Sequence, residues 1–287
     1  MLLEGFATED VAVGDTTIRA RVGGSGPPVL LLHGFPQTHA MWHRVAPGLA
    51  RDHTVVATDL TGYGASGKPA PTSGHERHAK RAFARDQVDA MAALGFERFA
   101  VVGHDRGART AYRLALDHPD AVERIAVLDV IPTGEALAHV DLDAARALWR
   151  WFFLAAPAPV PESAIAADPE TLLFGAHTQL FAPAALAAYR EAARDPATIQ
   201  AMCEDYRAMM GPDRAHDAAD AAAGRRIAAP LLALWGARSH VARGEDPLAV
   251  WRRWADDVSG RALDCGHFLP EEAPDETLRL LQAFLSP

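Results

Sequence analysis

The sequence has little of what builds disulfide-rich, membrane-spanning or nucleic-acid-binding proteins. Among 287 residues there are two cysteines, Cys203 and Cys265, too few for a disulfide framework and typical of a reducing compartment. No apolar run approaches the roughly 20 residues of a membrane span, and the first ten residues carry three acids and no basic segment of a signal peptide. With 28 basic and 37 acidic residues, a net charge of −9, nucleic acid and anionic membranes are excluded as expected partners. We expect a soluble, cytoplasmic protein.

One glycine-rich turn stands out at residues 102–108, with the sequence VGHDRGA. The apolar run before it predicts a buried strand, and residues 108–118 after it have the pattern of a helix. Gly103 and Gly107 supply the small residues that a sharp strand-to-helix turn needs, as in the nucleophile elbow of α/β-hydrolases. Asp105 occupies the position where serine is usual, which favours attack by a carboxylate on an electrophilic carbon. The alternative is an aspartate that simply caps the helix.

Strand and helix patterns alternate along most of the chain. A hairpin is predicted at residues 8–22, strands at 29–32, 53–58, 99–102, 124–128, 230–234 and 261–263, and further helices at 38–50, 75–94 and 246–255. This spacing predicts right-handed βαβ units, and thus an α/β fold with a mostly parallel, doubly wound sheet. Residues 132–226 break the rhythm, because they are helical, alanine-rich and punctuated by prolines. We interpret 1–131 and 227–287 as a core domain of the α/β-hydrolase fold and 132–226 as an inserted helical cap.

Three residues fall at the ends of three predicted strands in the order nucleophile, acid, base. They are Asp105, Asp129 and His267, and this order is the one expected of an α/β-hydrolase. The other common position for the acid, in the loop at 235–239, has no carboxylate, which favours Asp129. Taken singly, Asp129 could be a helix cap and His267 a surface histidine. Their joint placement at one edge of the sheet predicts a catalytic triad.

The loop His33-Gly34-Phe35-Pro36 follows the first parallel strand. In hydrolases of this fold, the corresponding loop donates a backbone N–H to the oxyanion hole, and the residue after the nucleophile donates another. We therefore expect the N–H groups of Phe35 and Arg106 to be the two donors.

Arg106 and Arg109 lie three positions apart on the first turn of the helix after Asp105. Cations at a helix N-terminus oppose the helix dipole, so two of them there call for an anion. Guanidinium groups bind carboxylates bidentately. We expect both side chains to point past Asp105 into a cavity and to bind a small carboxylate substrate; the alternative is a solvated helix face.

Six segments together resemble the fluoroacetate/haloacetate dehalogenase family. They are GHDRGART, HGFPQTHAMWHRVAP, AVLDVIPT, FLAAPAP, CEDYRA and CGHFLPEEAPD, and the resemblance extends over nearly the whole chain, the cap included. It implies that Asp105 is the nucleophile, with Asp129 and His267 as its partners, and that Arg106 and Arg109 hold the substrate carboxylate. It also implies hydrolysis of a haloacetate to glycolate and halide without a metal or organic cofactor, and a homodimer.

The same resemblance locates a halide pocket in the cap, which the family builds from a His-Trp pair and a tyrosine. Trp151 matches the tryptophan and Tyr206 the tyrosine, but Arg150 stands at the histidine position. This departure favours chloroacetate and bromoacetate over fluoroacetate as substrates.

Other activities share an aspartate at the elbow. An epoxide hydrolase needs two cap tyrosines to protonate the ring oxygen, and Tyr206 and Tyr189 are the two in the cap. A haloalkane dehalogenase binds a neutral substrate, for which the arginine pair is a liability in an apolar pocket. A ligand-binding protein without catalysis is a further alternative, since a fold alone does not assign a function.

Overall fold

A computed structural model describes residues 2–286, and its centre is a single sheet of eight strands. These are β1 (Ala7–Val13), β2 (Thr16–Gly24), β3 (Pro28–Leu32), β4 (Thr54–Thr58), β5 (Phe99–His104), β6 (Val122–Leu128), β7 (Leu231–Gly236) and β8 (Val258–Leu263). Their spatial order is β1-β2-β4-β3-β5-β6-β7-β8. The pairs β1–β2 and β2–β4 are antiparallel, and the other five are parallel. The predicted mostly parallel sheet with an edge hairpin is confirmed.

Burial follows the position of each strand in the sheet. All six residues of β5 are buried, as are four of the five in β3, because helices cover both faces of a parallel sheet. In β1, by contrast, only Val11 and Val13 are buried, the alternation of an edge strand with one face in solvent. The continuous apolar runs in the sequence therefore marked the middle of the sheet, where the catalytic candidates are located.

Helices outside the 132–226 segment flank this sheet. They are α1 (Ala46–Leu49), α2 (Lys80–Ala93), α3 (Arg106–Asp117) and, after the segment, α11 (Pro247–Trp251), α12 (Leu269–Glu272) and α13 (Pro274–Leu285). The segment itself supplies α4 (Thr133–Ala138), α5 (Leu142–Ala147), α6 (Trp149–Leu154), α7 (Val160–Ala167), α8 (Pro183–Ala192), α9 (Pro196–Ala208) and α10 (Arg214–Ala222). These lie between β6 and β7, and we call residues 132–226 the cap; the division into two domains stays a prediction.

Two predicted helices are wrong in their extent. The helix predicted at 38–50 is a 3-10 helix, His39–Arg44, followed by the single turn α1, because Pro47 has no N–H to continue the helical hydrogen bonding. The helix predicted at 75–94 begins only at Lys80, since His75 has a positive φ of 65° and Ala79 is extended. In both cases the backbone conformation interrupts the helix, although the apolar residues in the sequence keep a helical spacing across the interruption.

Two elements near the C-terminus also differ from their predicted extents. The helix predicted at 246–255 is limited to α11, with Asp246 as its N-cap. The last strand begins at Val258 rather than at residue 261. Cys203 and Cys265 are both buried and unpaired in the described chain. No helix among residues 2–286 combines the length and the apolarity needed to cross a bilayer.

Candidate active site

The nucleophile candidate is located at a strained turn between β5 and α3. Asp105 has φ 47° and ψ −114°, a conformation that costs free energy in a residue with a side chain. The turn can be this sharp because a β-carbon at Gly103 would lie 2.4 Å from the Gly107 carbonyl oxygen, and one at Gly107 would lie 2.3 Å from the Leu32 carbonyl oxygen. The Asp105 side chain consequently stands above the sheet at the cavity floor, and only 8 % of the residue is exposed.

Asp129 and His267 approach Asp105 from the ends of β6 and the loop after β8. The Nδ1 atom of His267 is 2.6 Å from Asp129 Oδ2, and its Nε2 atom is 4.0 Å from Asp105 Oδ1. The other oxygen of Asp129 accepts the Gly236 N–H at 2.9 Å. The imidazole is thus fixed with Nε2 toward the nucleophile, at a separation that a water hydrogen-bonded to both atoms can bridge.

The charges at this floor act on one another. Burial alone would lower the pKa of His267, but the hydrogen bond and charge of Asp129, with the charge of Asp105, raise it above its ordinary value. Burial would raise the pKa of Asp105, yet His267, His104 and Arg106 lower it. Asp105 is therefore ionised at neutral pH, the state in which a carboxylate is a nucleophile.

The loop after β3 contacts the nucleophile directly. The Phe35 N–H donates to Asp105 Oδ2 at 2.9 Å. This contact depends on Gly34, where a β-carbon would lie 2.6 Å from Asp105 Cβ. The arrangement leaves Oδ1 as the oxygen on the side of His267. The second expected donor, the Arg106 N–H at the start of α3, stays a prediction.

The two arginines of α3 differ in what they bind. The Arg106 guanidinium is buried against the cap, where its Nε donates to Asp205 Oδ2 at 2.9 Å and its Nη2 to the Asp205 carbonyl at the same distance. The expectation that both side chains face the cavity is therefore wrong for Arg106, because the fold itself supplies the anion that this cation requires.

Arg109, by contrast, lines the cavity. Its Nη1 donates to Thr133 Oγ1 at 2.9 Å and to the Ile131 carbonyl at 3.3 Å. Its Nε is buried and has no hydrogen-bond partner among residues 2–286. Burial and the charge of Arg106 lower its pKa, so an anion entering the cavity would stabilise this guanidinium.

The cap contributes Arg150, Trp151 and Tyr206 to the same cavity. Tyr206 packs its ring edge-to-face on Phe35 at 5.3 Å, and the ring of Trp151 lies 5.2 Å from the Arg109 guanidinium carbon. Within residues 2–286, no hydrogen bond occupies the Tyr206 hydroxyl or the Trp151 indole N–H. Two donors thus remain available in the cavity that Asp105 also lines.

The cavity between core and cap has a volume of about 530 Å³. Its floor is the triad, and its walls include side chains of α4, α6, the 3-10 helix Gly175–Leu180 and the loop after β7. No cluster of three or more side chains that could ligate a metal ion occurs in the described chain.

Comparisons with known proteins agree with this geometry. Residues 27–274 match the family model of the α/β hydrolase fold. A fluoroacetate dehalogenase from Burkholderia sp is 47% identical over 99% of this chain and 95% of its own. The chain belongs to the haloacetate dehalogenase family of α/β-hydrolases.

More distant members of the fold include epoxide hydrolases. A soluble epoxide hydrolase from Corynebacterium sp. is 32% identical over 92% of both chains.

A solved structure of an α/β hydrolase from Nostoc sp PCC 7120 is 48% identical, covers 99% of each chain and superposes with a TM-score of 0.96. The predicted fold class is thereby confirmed.

Within this dehalogenase fold, three residues that the sequence reasoning did not single out support the site. Asp205 binds Arg106 and also Lys80 and the Tyr63 hydroxyl, which fastens the cap helix α9 to the core. Glu272 accepts the N–H groups of Gly266 and Phe268, at 2.8 and 2.9 Å, on either side of His267. His104 packs against His267 and binds its carbonyl at 2.8 Å. Asp205 lies in the segment CEDYRA and Glu272 in CGHFLPEEAPD. The sequence did not reveal their roles, because the partners of Asp205 are distant in sequence and those of Glu272 are backbone N–H groups.

Proposed function

We propose that the enzyme hydrolyses the carbon–halogen bond of small 2-haloacids through a covalent ester on Asp105. One observation carries the proposal: an ionised aspartate, held by an N–H on one oxygen and facing a His–Asp pair on the other, shares a cavity with the Arg109 guanidinium. A carboxylate bound by Arg109 would bring the adjacent carbon to the nucleophile. Positioning of this kind supplies a large part of catalysis.

In the first step, the Asp105 carboxylate displaces the halide. Oδ1 forms the bond to C2 of the haloacid, and the carbon–halogen bond breaks with its electron pair leaving on the halide. Oδ2, bound to the Phe35 N–H, becomes the ester carbonyl oxygen. The free donors of Trp151 and Tyr206 are available to stabilise the departing halide as its charge develops.

In the second step, His267 activates water. A water in the gap between Nε2 and Asp105 gives its proton to His267 and attacks the ester carbon of Asp105. The Asp129 carboxylate stabilises the imidazolium that forms. The N–H of Phe35, with that of Arg106 as the proposed second donor, stabilises the oxyanion. The bond between Cγ and Oδ1 of Asp105 then breaks, Oδ1 leaves as the hydroxyl oxygen of the 2-hydroxyacid with the proton of the imidazolium, and the new Asp105 carboxyl loses its proton to solvent. No step in this scheme requires a metal or an organic cofactor.

The halogen preference follows from Arg150. Fluoride is the poorest leaving group among the halides and depends most on hydrogen bonds that strengthen in the transition state. One donor of Arg150 is already bound to the backbone of the cap, because its Nε donates to the Leu172 carbonyl at 3.0 Å. Trp151 and Tyr206 are then the two halide donors, and we propose chloroacetate and bromoacetate as better substrates than fluoroacetate.

The tyrosines argue against an epoxide hydrolase. That reaction requires two tyrosine hydroxyls over the nucleophile, but Tyr189 is fully buried and donates its hydroxyl to Glu271. Among the described residues only Tyr206 of the four tyrosines lines the cavity. The second tyrosine hydroxyl that an epoxide hydrolase places over the substrate is thus lacking among the described residues. The homodimer and the cytoplasmic location stay predictions of the sequence.

The His267→Gln variant tests the two-step reaction. Since His267 acts only in hydrolysis, the variant should release about one equivalent of chloride from chloroacetate and then stop with a glycolyl ester on the enzyme. Intact-protein and peptide mass spectrometry should locate that adduct on the peptide that contains Asp105. The double variant Asp105→Asn/His267→Gln is the matched control and should release no chloride. Release of one equivalent without an adduct would reject the ester intermediate.

A further inference from the structure

Besides Arg109, three further arginines line the cavity, and a haloacetate does not explain the presence of one of them, Arg150. Arg150 is half-buried, lines the cavity and donates one hydrogen bond, from Nε to a backbone carbonyl. No carboxylate of the described chain lies within ion-pair distance of it. Arg207, the most buried arginine of the cap, instead pairs with both Glu162 and Glu204. A partly desolvated cation without an anion is unfavourable. Arg109 is in the same situation, and for that reason we assigned the substrate carboxylate to it.

The position of Arg150 differs from that of the proposed halide donors. Its guanidinium carbon lies 4.7 Å from the ring of Trp149, which is 40 % exposed. Tyr206 is only 3 % exposed and packs on Phe35 beside the nucleophile. Arg150 thus lies against the exposed Trp149 and within electrostatic range of Tyr206. We assign its guanidinium to the outer wall of the cavity and the departing halide to the floor.

His177 adds a second hydrogen-bonding side chain to this outer wall. Its ring lies 5.3 Å from that of Phe268, the residue after His267, so it connects the outer wall to the floor. Burial and the nearby charges of Arg150 and His267 lower its pKa. Glu272 is the acid that counters them, but both of its oxygens accept backbone N–H groups. Within the described residues, Arg150 and His177 are thus cavity donors without an acceptor for their remaining N–H groups.

We propose that Arg150 and His177 form a second carboxylate subsite, and that the enzyme takes 2-halodicarboxylates such as 2-chlorosuccinate. This rests on the proposed function and names the substrate class of the same cavity. The carboxylate next to the halogen binds Arg109, and the distal one binds Arg150 and His177. The volume of about 530 Å³, in the range of pockets for ligands much larger than a haloacetate, accommodates the longer chain. Asp105 displaces chloride from C2, water hydrolyses the ester, and a 2-hydroxydicarboxylate is released.

Binding without turnover tests the subsite independently of catalysis. Calorimetry at about 0.15 M salt should show succinate binding about tenfold more tightly than its monoamide, which replaces the distal carboxylate by a neutral group of the same shape. The Arg150→Met variant should lose this preference, and Arg150→Lys should retain part of it. Arg238→Met is the matched control, because Arg238 also lines the cavity but already pairs with Asp264; its preference for succinate should not change.

Turnover of the longer acids provides the second test of the subsite. The ratio of kcat/KM for 2-chlorosuccinate over its distal monoamide should exceed about tenfold in the wild-type enzyme and fall toward one in Arg150→Met. Equal binding of succinate and its monoamide by the wild-type protein would overturn the proposal. An equal loss of kcat/KM on chloroacetate and on both longer acids in Arg150→Met would also overturn it, because it would assign Arg150 to the halide. If no haloacid releases halide, the proposed function fails while calorimetry still decides the subsite.

Discussion

The two walls of the cavity differ in how their polar groups are satisfied. On the core wall, Asp105, Asp129 and His267 bind one another or backbone N–H groups at fixed distances. On the cap wall, Tyr206 and Arg150 carry donors that no atom of the described chain accepts. The triad on the core wall is hydrogen-bonded without a ligand, whereas these donors of the cap wall have no partner until a ligand binds.

This difference separates chemistry from substrate choice. The rigid strand ends hold the reacting groups in place before substrate arrives, as electrostatic preorganisation requires. The unoccupied donors of the cap instead gain their partners only on binding. Changes in the cap should therefore alter which acid or halide is accepted, whereas changes at the strand ends should affect turnover of every substrate.

Arg109 is the exception on the core wall, and its loss gives the largest expected effect. Replacement by leucine in Arg109→Leu removes the guanidinium that we assign to the substrate carboxylate, at a cost of about 2–5 kcal/mol in transition-state binding. The kcat/KM for chloroacetate measures this loss. Neutral chloroacetamide should lose much less, because it makes no charged pair with Arg109.

Arg106→Leu is the matched control for that prediction. Since Arg106 pairs with Asp205 inside the protein, its removal leaves a buried carboxylate without its main partner and should lower the thermal stability. Any loss of activity should then affect chloroacetate and chloroacetamide alike. Equal losses on the two substrates in Arg109→Leu would mean that Arg109 is structural too.

Much of the core wall could be predicted because it follows from local sequence. Strand patterns located the carboxyl ends of β5 and β6, and a glycine on either side of residue 105 gave the turn. Parallel strands bring their ends to one edge of the sheet, so Asp105, Asp129 and His267 had to be near one another. Distances such as the 2.6 Å between His267 and Asp129 required the structure.

Contacts between cap and core could not be predicted in this way. Arg106 and Asp205 are separated by 99 positions, and no periodicity reports which helix of the cap packs on α3. The same holds for Tyr189, which the sequence placed in the cap but which binds Glu271 rather than the cavity. Side-chain orientation at a domain junction depends on packing between segments that share no local pattern.

The next expected effect is on the choice of halide by the cap wall. The Arg150→His variant restores the family residue beside Trp151 and should raise the ratio of kcat/KM for fluoroacetate over chloroacetate, because an imidazole donor adds to those of Trp151 and Tyr206. We expect a change of about tenfold, the size of one hydrogen bond that strengthens in the transition state. Fluoride and chloride release, measured separately with ion-selective electrodes, give the ratio.

A wild-type enzyme that prefers fluoroacetate, and loses that preference in Arg150→His, would reverse this interpretation. It would mean that the guanidinium itself donates to fluoride at the floor. Arg238→Met, at the same cavity but paired with Asp264, should leave the ratio unchanged and controls for a general effect of charge.

The smallest effect is expected from the acid that holds the catalytic loop, Glu272. His267 must be neutral to accept a proton, and its pKa is raised above the ordinary 6.5, so turnover should fall as the pH drops through a value above 6.5. Glu272 is among the negative charges that raise this pKa. In Glu272→Gln the charge is lost, the base stays neutral to lower pH, and the acid limb of kcat should move down by roughly half a pH unit or less.

Glu271→Gln is the control for this shift, since Glu271 lies on the same turn but faces Tyr189 and Gln37. Its acid limb should stay at the wild-type position. An upward shift in Glu272→Gln would contradict the electrostatic role of Glu272. A lower kcat without a shift of the acid limb would mean that Glu272 acts only by binding the backbone N–H groups of Gly266 and Phe268. The pKa of His267 would then be set by Asp129 and Asp105. The size of the shift thus measures how much of the preorganisation of the core wall depends on charge and how much on geometry.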